Sequence, residues 1–472
     1  VYHGIVESRG FGSIEFGRHS GSDLVSTLSQ PYYSYTWWPA KDGDFGEPGD
    51  QSDKFTLSMS VIAPDTMVTA SNGVLDGIDT LSGGRKRYRW SSNYPICSYL
   101  VCFSSTNYNT YEQTYTPIGG GSMPVLIYIY PEHDSSANRD AGFKCIDMIT
   151  TLRDYFGEYP FIAEKYGIYE FDFGGGMEHQ TFTGQTGFTE YLTVHELGHQ
   201  WWGDMITCKT WNHIWLNEGF ASYTEALWAE KKPGSTGLPA LKSYMSTMRY
   251  TGSGSIYVPD SEVSSLYDIF DTSTSYDKGA WAVHMLRHVL GDTNFFNALA
   301  AYRADFLYSA ATTEDLQAVC ERFYDGSDLN WFFQEWIYGE YVPSYGWGWK
   351  SVTVSGKNYL LISVDQTQPA TYQRFTMPID IVADGETHVI FNDADPEYFV
   401  IPVPATPSSV SFDPDIWILW GTRTGRTYVP GPPTIVDTNP SPGSILTSSP
   451  SLTNVTVTFH TDVDIDLSDF SI

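Results

Sequence analysis

The chain has 472 residues, 41% hydrophobic and only 17% charged, so it is globular rather than disordered and long enough for about two to four domains. Only 26 Lys and Arg face 56 Asp and Glu, a formal charge of −30, which argues against nucleic acid and anionic membrane surfaces as partners. No apolar run reaches membrane-spanning length, so no membrane insertion is expected.

The acidic, lysine-poor composition suits a secreted or cell-surface protein. The chain starts at Val1 rather than Met, so a leader is expected to have been removed or left out. Residues 1–121 read as an N-terminal β domain. LSMSVIAP (57–64) and YLVCF (99–103) have strand length and lie between turn residues. Cys97 and Cys102 then point to opposite faces of a strand-like run, which disfavours a local disulfide. With Cys145, Cys208 and Cys320 they read as buried free thiols, and no Cys-x-x-Cys zinc pattern exists. The acidic loop 42–53 reads as a solvated turn, since its spacing fits no known calcium loop.

Gly119-Gly120-Gly121 is a domain boundary by this reading, and residues 122–344 form the next domain. MPVLIYIY (123–130) is a strand, a helix is predicted across about 138–156, and YGIYEFDF (166–173) follows. Next comes GGGMEHQ (174–180), which is no phosphate loop because it lacks a Lys and a Ser/Thr helix start. Glycines there let the backbone approach something closely. Glu178 is either a structural acid or, in a peptidase, the partner of a substrate ammonium.

HELGH (195–199) places His195 and His199 four apart, on one helical face, able to converge on one ion. Glu196 can reach a water on that ion as general base. The pattern alone is a weak signal, but Leu192, Val194, Leu197, Trp201 and Trp202 surround it with a core. Buried His and Glu are costly unless paired or ligated. Glu218 supplies a third ligand on a returning helix, and two histidines with a glutamate form a hydrolytic zinc set. Glu225, two turns further on the same face, either holds the outer N–H of a ligand histidine or is a surface acid.

Residues 231–275 read as a long connection rich in Gly, Ser and Pro. Tyr276 then opens an apolar helix, where its hydroxyl could stabilise an oxyanion, although most tyrosines simply pack. From about 346 the pattern turns to short strands spaced like a β-sandwich (345–428). Residues 429–472 read as a linker and the start of an Ig-like β module, stopping too soon to close a sandwich. The series Asp462, Asp464, Asp466, Asp469 reads as a solvated strand end.

In order, GGMEH (175–179), HELGH, LNEGFASYTE (216–225), YDKG (276–279) and WIYGEYVP (336–343) resemble the aminopeptidase N family of gluzincin zinc aminopeptidases. The likeness spans about 20–425. It implies a multidomain α+β chain: an N-terminal β domain, a thermolysin-like α/β catalytic domain, a β-sandwich and a further Ig-like module. It implies one catalytic Zn2+ on His195, His199 and Glu218, Glu196 as base and Tyr276 as transition-state donor. Glu178 and Gln30 (in TLSQP, 27–31) would grip the free α-amine, and Gly175 and Gly176 would line the substrate. Further C-terminal β modules are expected. His179 stands where the family has Asn, and the N-terminal domain is short for the family. The resemblance implies an aminopeptidase acting on peptides with a free N-terminus. Its rivals are a zinc endopeptidase of the same clan and a catalytically inactive surface binding protein.

Overall fold

The computed structural model describes residues 6, 8, 9, 11, 13–41, 47–325, 327–439 and 456–461. The aspartate series 462–469 and part of the acidic loop (42–46) lie outside the described residues. The chain divides into two compact units, residues 1–250 with 254–339, and residues 251–253 with 340–472.

The first unit opens with two antiparallel sheets. One has four strands in the order Ser13–His19, Ser22–Leu28, Phe103–Thr106, Val68–Ser71. The other pairs Arg85–Ile96 with Phe55–Pro64 on one side and Val74–Leu81 on the other. The strand expected over 99–103 is instead a 3-10 turn, Ser98–Leu100, and pairing begins only at Phe103. Tyr99, Leu100, Val101 and Cys102 are at most 1% exposed, so their apolar run reports all-round burial, not alternation. Asn72 replaces the missing ladder partner: its Nδ2 donates to Leu100 O (3.0 Å) and its Oδ1 accepts from Cys102 N (2.8 Å). All five cysteines are buried and none is in a disulfide.

A five-stranded mixed sheet follows, ordered Gly176–Met177, Thr183–Gln185, Tyr166–Glu170, Met123–Ile129, Asn109–Tyr115. Gly119–Gly121 lie in the turn between the last two of these strands, with Gly120 and Gly121 at positive φ. The helix expected over 138–156 is two, Ser136–Phe143 and Cys145–Phe156. They meet at Lys144, whose ammonium reaches Glu190 at 2.5 Å. Helices Glu190–His199, Trp215–Lys231 and Gly279–Leu290 pack beside this sheet around Trp201, Trp202, Trp215, Trp228 and Trp281, each at most 1% exposed. The connection 231–275 contains short helices, Leu238–Met245 and Leu266–Ile269.

The second unit is a two-sheet β structure. One sheet runs Glu397–Val403, Lys357–Gln366, Tyr345–Val354, Arg423–Thr427, and the other Glu386–Asn392, Met377–Ala383, Val410–Phe412. Leu360, Ile362 and Val364 from the first and Ile379, Ile381 and Phe412 from the second are all buried, as inner faces of a sandwich require. Ile435–Asn439 pairs with Thr456–Phe459 beyond it. Among the described residues no helix is long and apolar enough to cross a membrane.

Candidate active site

Three helical elements bring the site together. Glu190–His199 is anchored at its first turn, where Glu190 binds Lys144 and Lys232 (3.0 Å) and accepts from Trp228 Nε1 (2.7 Å). An acid there also suits the helix dipole. Thr193, Val194 and Leu197 bury the opposite face. The helix ends where Asp204 N bonds His199 O, with Gly203 at φ +145.

The second helix, Trp215–Lys231, is fixed at its start by Asn217. Its Oδ1 accepts from Cys208 N (2.9 Å) and its Nδ2 donates to Tyr99 OH (3.2 Å). Glu218, the next residue, is thereby aimed at the two histidines. The third element is a π-helical turn, Thr272–Lys278, running into Gly279–Leu290. The expected helix start at Tyr276 is thus a wide turn capped by Asp271. Gly219 and Gly279 cross in contact, since a Cβ on Gly219 would stand 2.8 Å from the Gly279 carbonyl carbon. That close crossing brings Tyr276 beside Glu218.

Nε2 of His195 and Nε2 of His199 are 3.2 Å apart, and Oε2 of Glu218 lies 3.4 and 3.1 Å from them. A tetrahedral zinc with arms of about 2.0–2.2 Å has ligand–ligand edges of about 3.3–3.6 Å. The three atoms therefore fit one zinc ion. The outer imidazole nitrogens are also engaged. His195 Nδ1 meets Glu225 Oε1 at 2.8 Å, and His199 Nδ1 meets the Trp202 carbonyl at 3.1 Å. Such acceptors fix the tautomer that turns an Nε2 lone pair to a metal. Glu225 is in turn held by the Tyr244 hydroxyl.

The electrostatics fit a cation site. Burial pulls the His199 imidazole down, but Glu218 and Glu178 carry it up to about 9. Burial pushes Glu218 up, yet His199 and His195 bring it down to about 2. Glu196 is lifted by burial to about 8, with the histidines opposing and Glu178 and Glu218 adding to the rise. Its Oε2 is buried and has no hydrogen-bond partner among the described residues. Burial, then Glu218, Glu178 and Glu196, hold the Tyr276 phenol well above its usual range, so it is a neutral donor. Its ring stacks 5.9 Å from that of His195.

A cleft of about 440 Å³ collects every site residue singled out from the sequence: Gln30, Gly175, Gly176, Glu178, His195, Glu196, His199, Glu218, Glu225 and Tyr276. Gln30 Nε2 donates to Glu178 Oε1 at 3.2 Å across 148 residues of sequence. Gly176 is needed for close approach: a Cβ there would stand 2.2 Å from Glu196 Oε1. Gly176–Met177 is the edge strand of its sheet, so one of its sides is free to pair with an extended peptide.

The chain matches the Peptidase family M1 domain over residues 177–336. Aminopeptidase M1-B of Oryza sativa subsp. japonica is 31% identical over 290 residues, covering 57% of this chain and 32% of that protein. The chain therefore spans about a third of the length of such curated relatives. The fold is shared with an aminopeptidase A of Legionella pneumophila, solved with aspartic acid (TM-score 0.71, 17% identity, 88% of this chain and 49% of that one). It is also shared with a mutant M1 zinc metallopeptidase from Deinococcus radiodurans (TM-score 0.59, 24% identity, 69% of this chain and 71% of that one).

Around this site, no sequence motif marks Gln200. Its Oε1 accepts from Thr181 N (2.9 Å) and Tyr159 OH (3.0 Å), and its Nε2 donates to Glu178 O (3.2 Å) and Asp204 Oδ2 (2.8 Å). Thr181 sits at φ +67, a conformation that persists when its surroundings over-determine it. Gln200 thus ties the Glu178 segment to the residue after His199. Gln200→Leu is expected to raise KM for peptides and lower stability by about 2–4 kcal/mol, with zinc retained. Urea unfolding and steady-state kinetics check both.

His179 is fully buried, with Nδ1 2.8 Å from Tyr169 OH, and burial depresses its pKa to about 3. Between that value and about 6.5 the unfolded chain binds a proton that the folded chain refuses. Stability should therefore fall as pH drops from about 6.5 towards 3, at up to about 1.4 kcal/mol per pH unit from this group. His179→Asn should flatten that slope in denaturation curves taken across the same range.

Proposed function

We propose that this chain is a zinc-dependent aminopeptidase that removes residues one at a time from the free N-terminus of peptides. The observation carrying this reading is the pairing of Glu178 with Gln30 inside the cleft that also holds His195, His199 and Glu218. In this reading those three residues hold a single zinc. Bound there, zinc would supply a Lewis acid and lower the pKa of water at its open position towards about 7.

The remaining steps belong to the chain's own groups. The Glu178 carboxylate and the Gln30 amide oxygen receive the substrate's ammonium and set the register from the peptide's end. The edge strand Gly176–Met177, reached through Gly175, aligns the peptide backbone. Glu196 takes the proton of the attacking water and passes it to the nitrogen of the leaving amine. The neutral Tyr276 phenol donates to the oxyanion as the carbonyl becomes tetrahedral. Glu225, held by Tyr244, keeps the His195 ring oriented. The acidic, lysine-poor composition supports a place outside the cell or at its surface.

A matched pair of peptides, one with a free N-terminus and one acetylated, tests the reading. Successive release of single residues from the free peptide, with the acetylated one untouched, is expected. Internal cleavage of the acetylated peptide would turn the assignment to an endopeptidase, and inertness of the zinc-loaded protein to a binding module.

A further inference from the structure

The amine-gripping pair of the aminopeptidase reading is split between two sheets, and this inference rests on that reading. We propose that Lys165 is the positioning residue that sets Glu178 against Gln30, acting through Thr181 and Gln200. Gln30 stands two residues past strand Ser22–Leu28 of the first four-stranded sheet. Glu178 directly follows the edge strand Gly176–Met177 of the mixed sheet. Their 3.2 Å bond therefore needs the two sheets held in a fixed relation.

Lys165 bridges the two sides. It is 3% exposed, and its ammonium donates to Ser71 O (2.9 Å), Gly73 O (2.5 Å) and Thr181 Oγ1 (3.3 Å). Ser71 ends a strand of the sheet that leads to Gln30, and Gly73 lies in the turn after it. Thr181 lies three residues beyond Glu178. The same turn reinforces the junction, since Gly73 N donates to the Thr181 hydroxyl (2.8 Å) and Asn72 Nδ2 to Gln180 O (2.8 Å). From Thr181 the path is short: its N–H goes to Gln200, whose Nε2 donates to the Glu178 carbonyl. An ammonium is costly in such a place. Burial draws its pKa down to about 7, and its three hydrogen bonds all go to uncharged oxygens. The rings of Trp90 (5.0 Å) and Phe182 (4.7 Å) offset only part of that cost. An apolar side chain of similar length would fill the space more cheaply. What the cation adds is three donors converging on oxygens from both sides of the junction.

Lys165→Met keeps the stem and removes the donors, and its zinc-loaded form is compared with the parent on a free-amine reporter substrate. KM should rise about tenfold, with kcat within about threefold and zinc content unchanged. That split is expected when the grip on the substrate loosens and the chemistry does not. In a Glu178→Gln background the same substitution should change KM by less than about twofold, because there is no carboxylate left to misplace. Thr181→Val, which removes only the hydroxyl, should act in the same direction and stands in if Lys165→Met fails to fold. An unchanged KM in the folded variant, a fall in kcat alone, or an equal rise in KM with and without the Glu178 carboxylate overturns the inference. In each of those cases the parent still releases residues, so the aminopeptidase reading survives. No release by the parent overturns both.

Discussion

Glu196→Gln is expected to cut turnover by about 10³-fold to 10⁴-fold while zinc stays bound. The substitution keeps the size and planarity of the side chain, and the carboxylate is not among the three atoms that converge at 3.1–3.4 Å. What it removes is a base that burial has lifted to about 8 and whose Oε2 is spent on no hydrogen bond among the described residues. A group so placed contributes little to holding the fold, so its unchanged volume should leave stability near that of the parent. Reporter-substrate kinetics with metal analysis on the same sample decide the matter. Unchanged turnover would remove Glu196 from the chemistry.

Glu178→Gln is the second large effect. The carboxylate is 3% exposed, and burial raises its pKa, with His199 opposing and Glu218 adding to the rise. A buried carboxylate beside a cation site and bonded by Gln30 is poised for an incoming ammonium. Truncating one partner of a buried charge pair costs about 2–5 kcal/mol, so kcat/KM should fall by about 30-fold or more. The loss should appear with amine-bearing peptides, while zinc content and the unfolding midpoint stay near the parent values. Equal kinetics in parent and variant would mean that the amine is gripped elsewhere.

The convergence of these side chains was legible because they sit in short stretches whose local geometry is predictable. One helical turn aligns His195 with His199, and a first-turn acid, Glu218, returns to them. What sequence hid are partners joined across long separations. Gln200 reaches back to Glu178 and Thr181, Tyr244 supports Glu225, and Trp202 offers only a backbone carbonyl to His199. Nothing in residue type marks such contacts. Burial also masked local form: the run 99–103 is apolar because it is enclosed, and Asn72 serves it where a strand partner was expected. The wide turn at Tyr276 runs into the Gly219–Gly279 crossing, which is visible only once two helices are set together. The single helix expected over 138–156 is divided at Lys144, although the backbone there stays right-handed helical.

Anomalous diffraction at the zinc absorption edge, on crystals of the zinc-loaded protein, tests the central claim most directly. One peak is expected, at about 2.0–2.2 Å from His195 Nε2, His199 Nε2 and a carboxylate oxygen of Glu218, facing Glu178 across the cleft. No peak there, or an ion held by Glu178 and Glu196 in place of Glu218 and His195, would contradict the account.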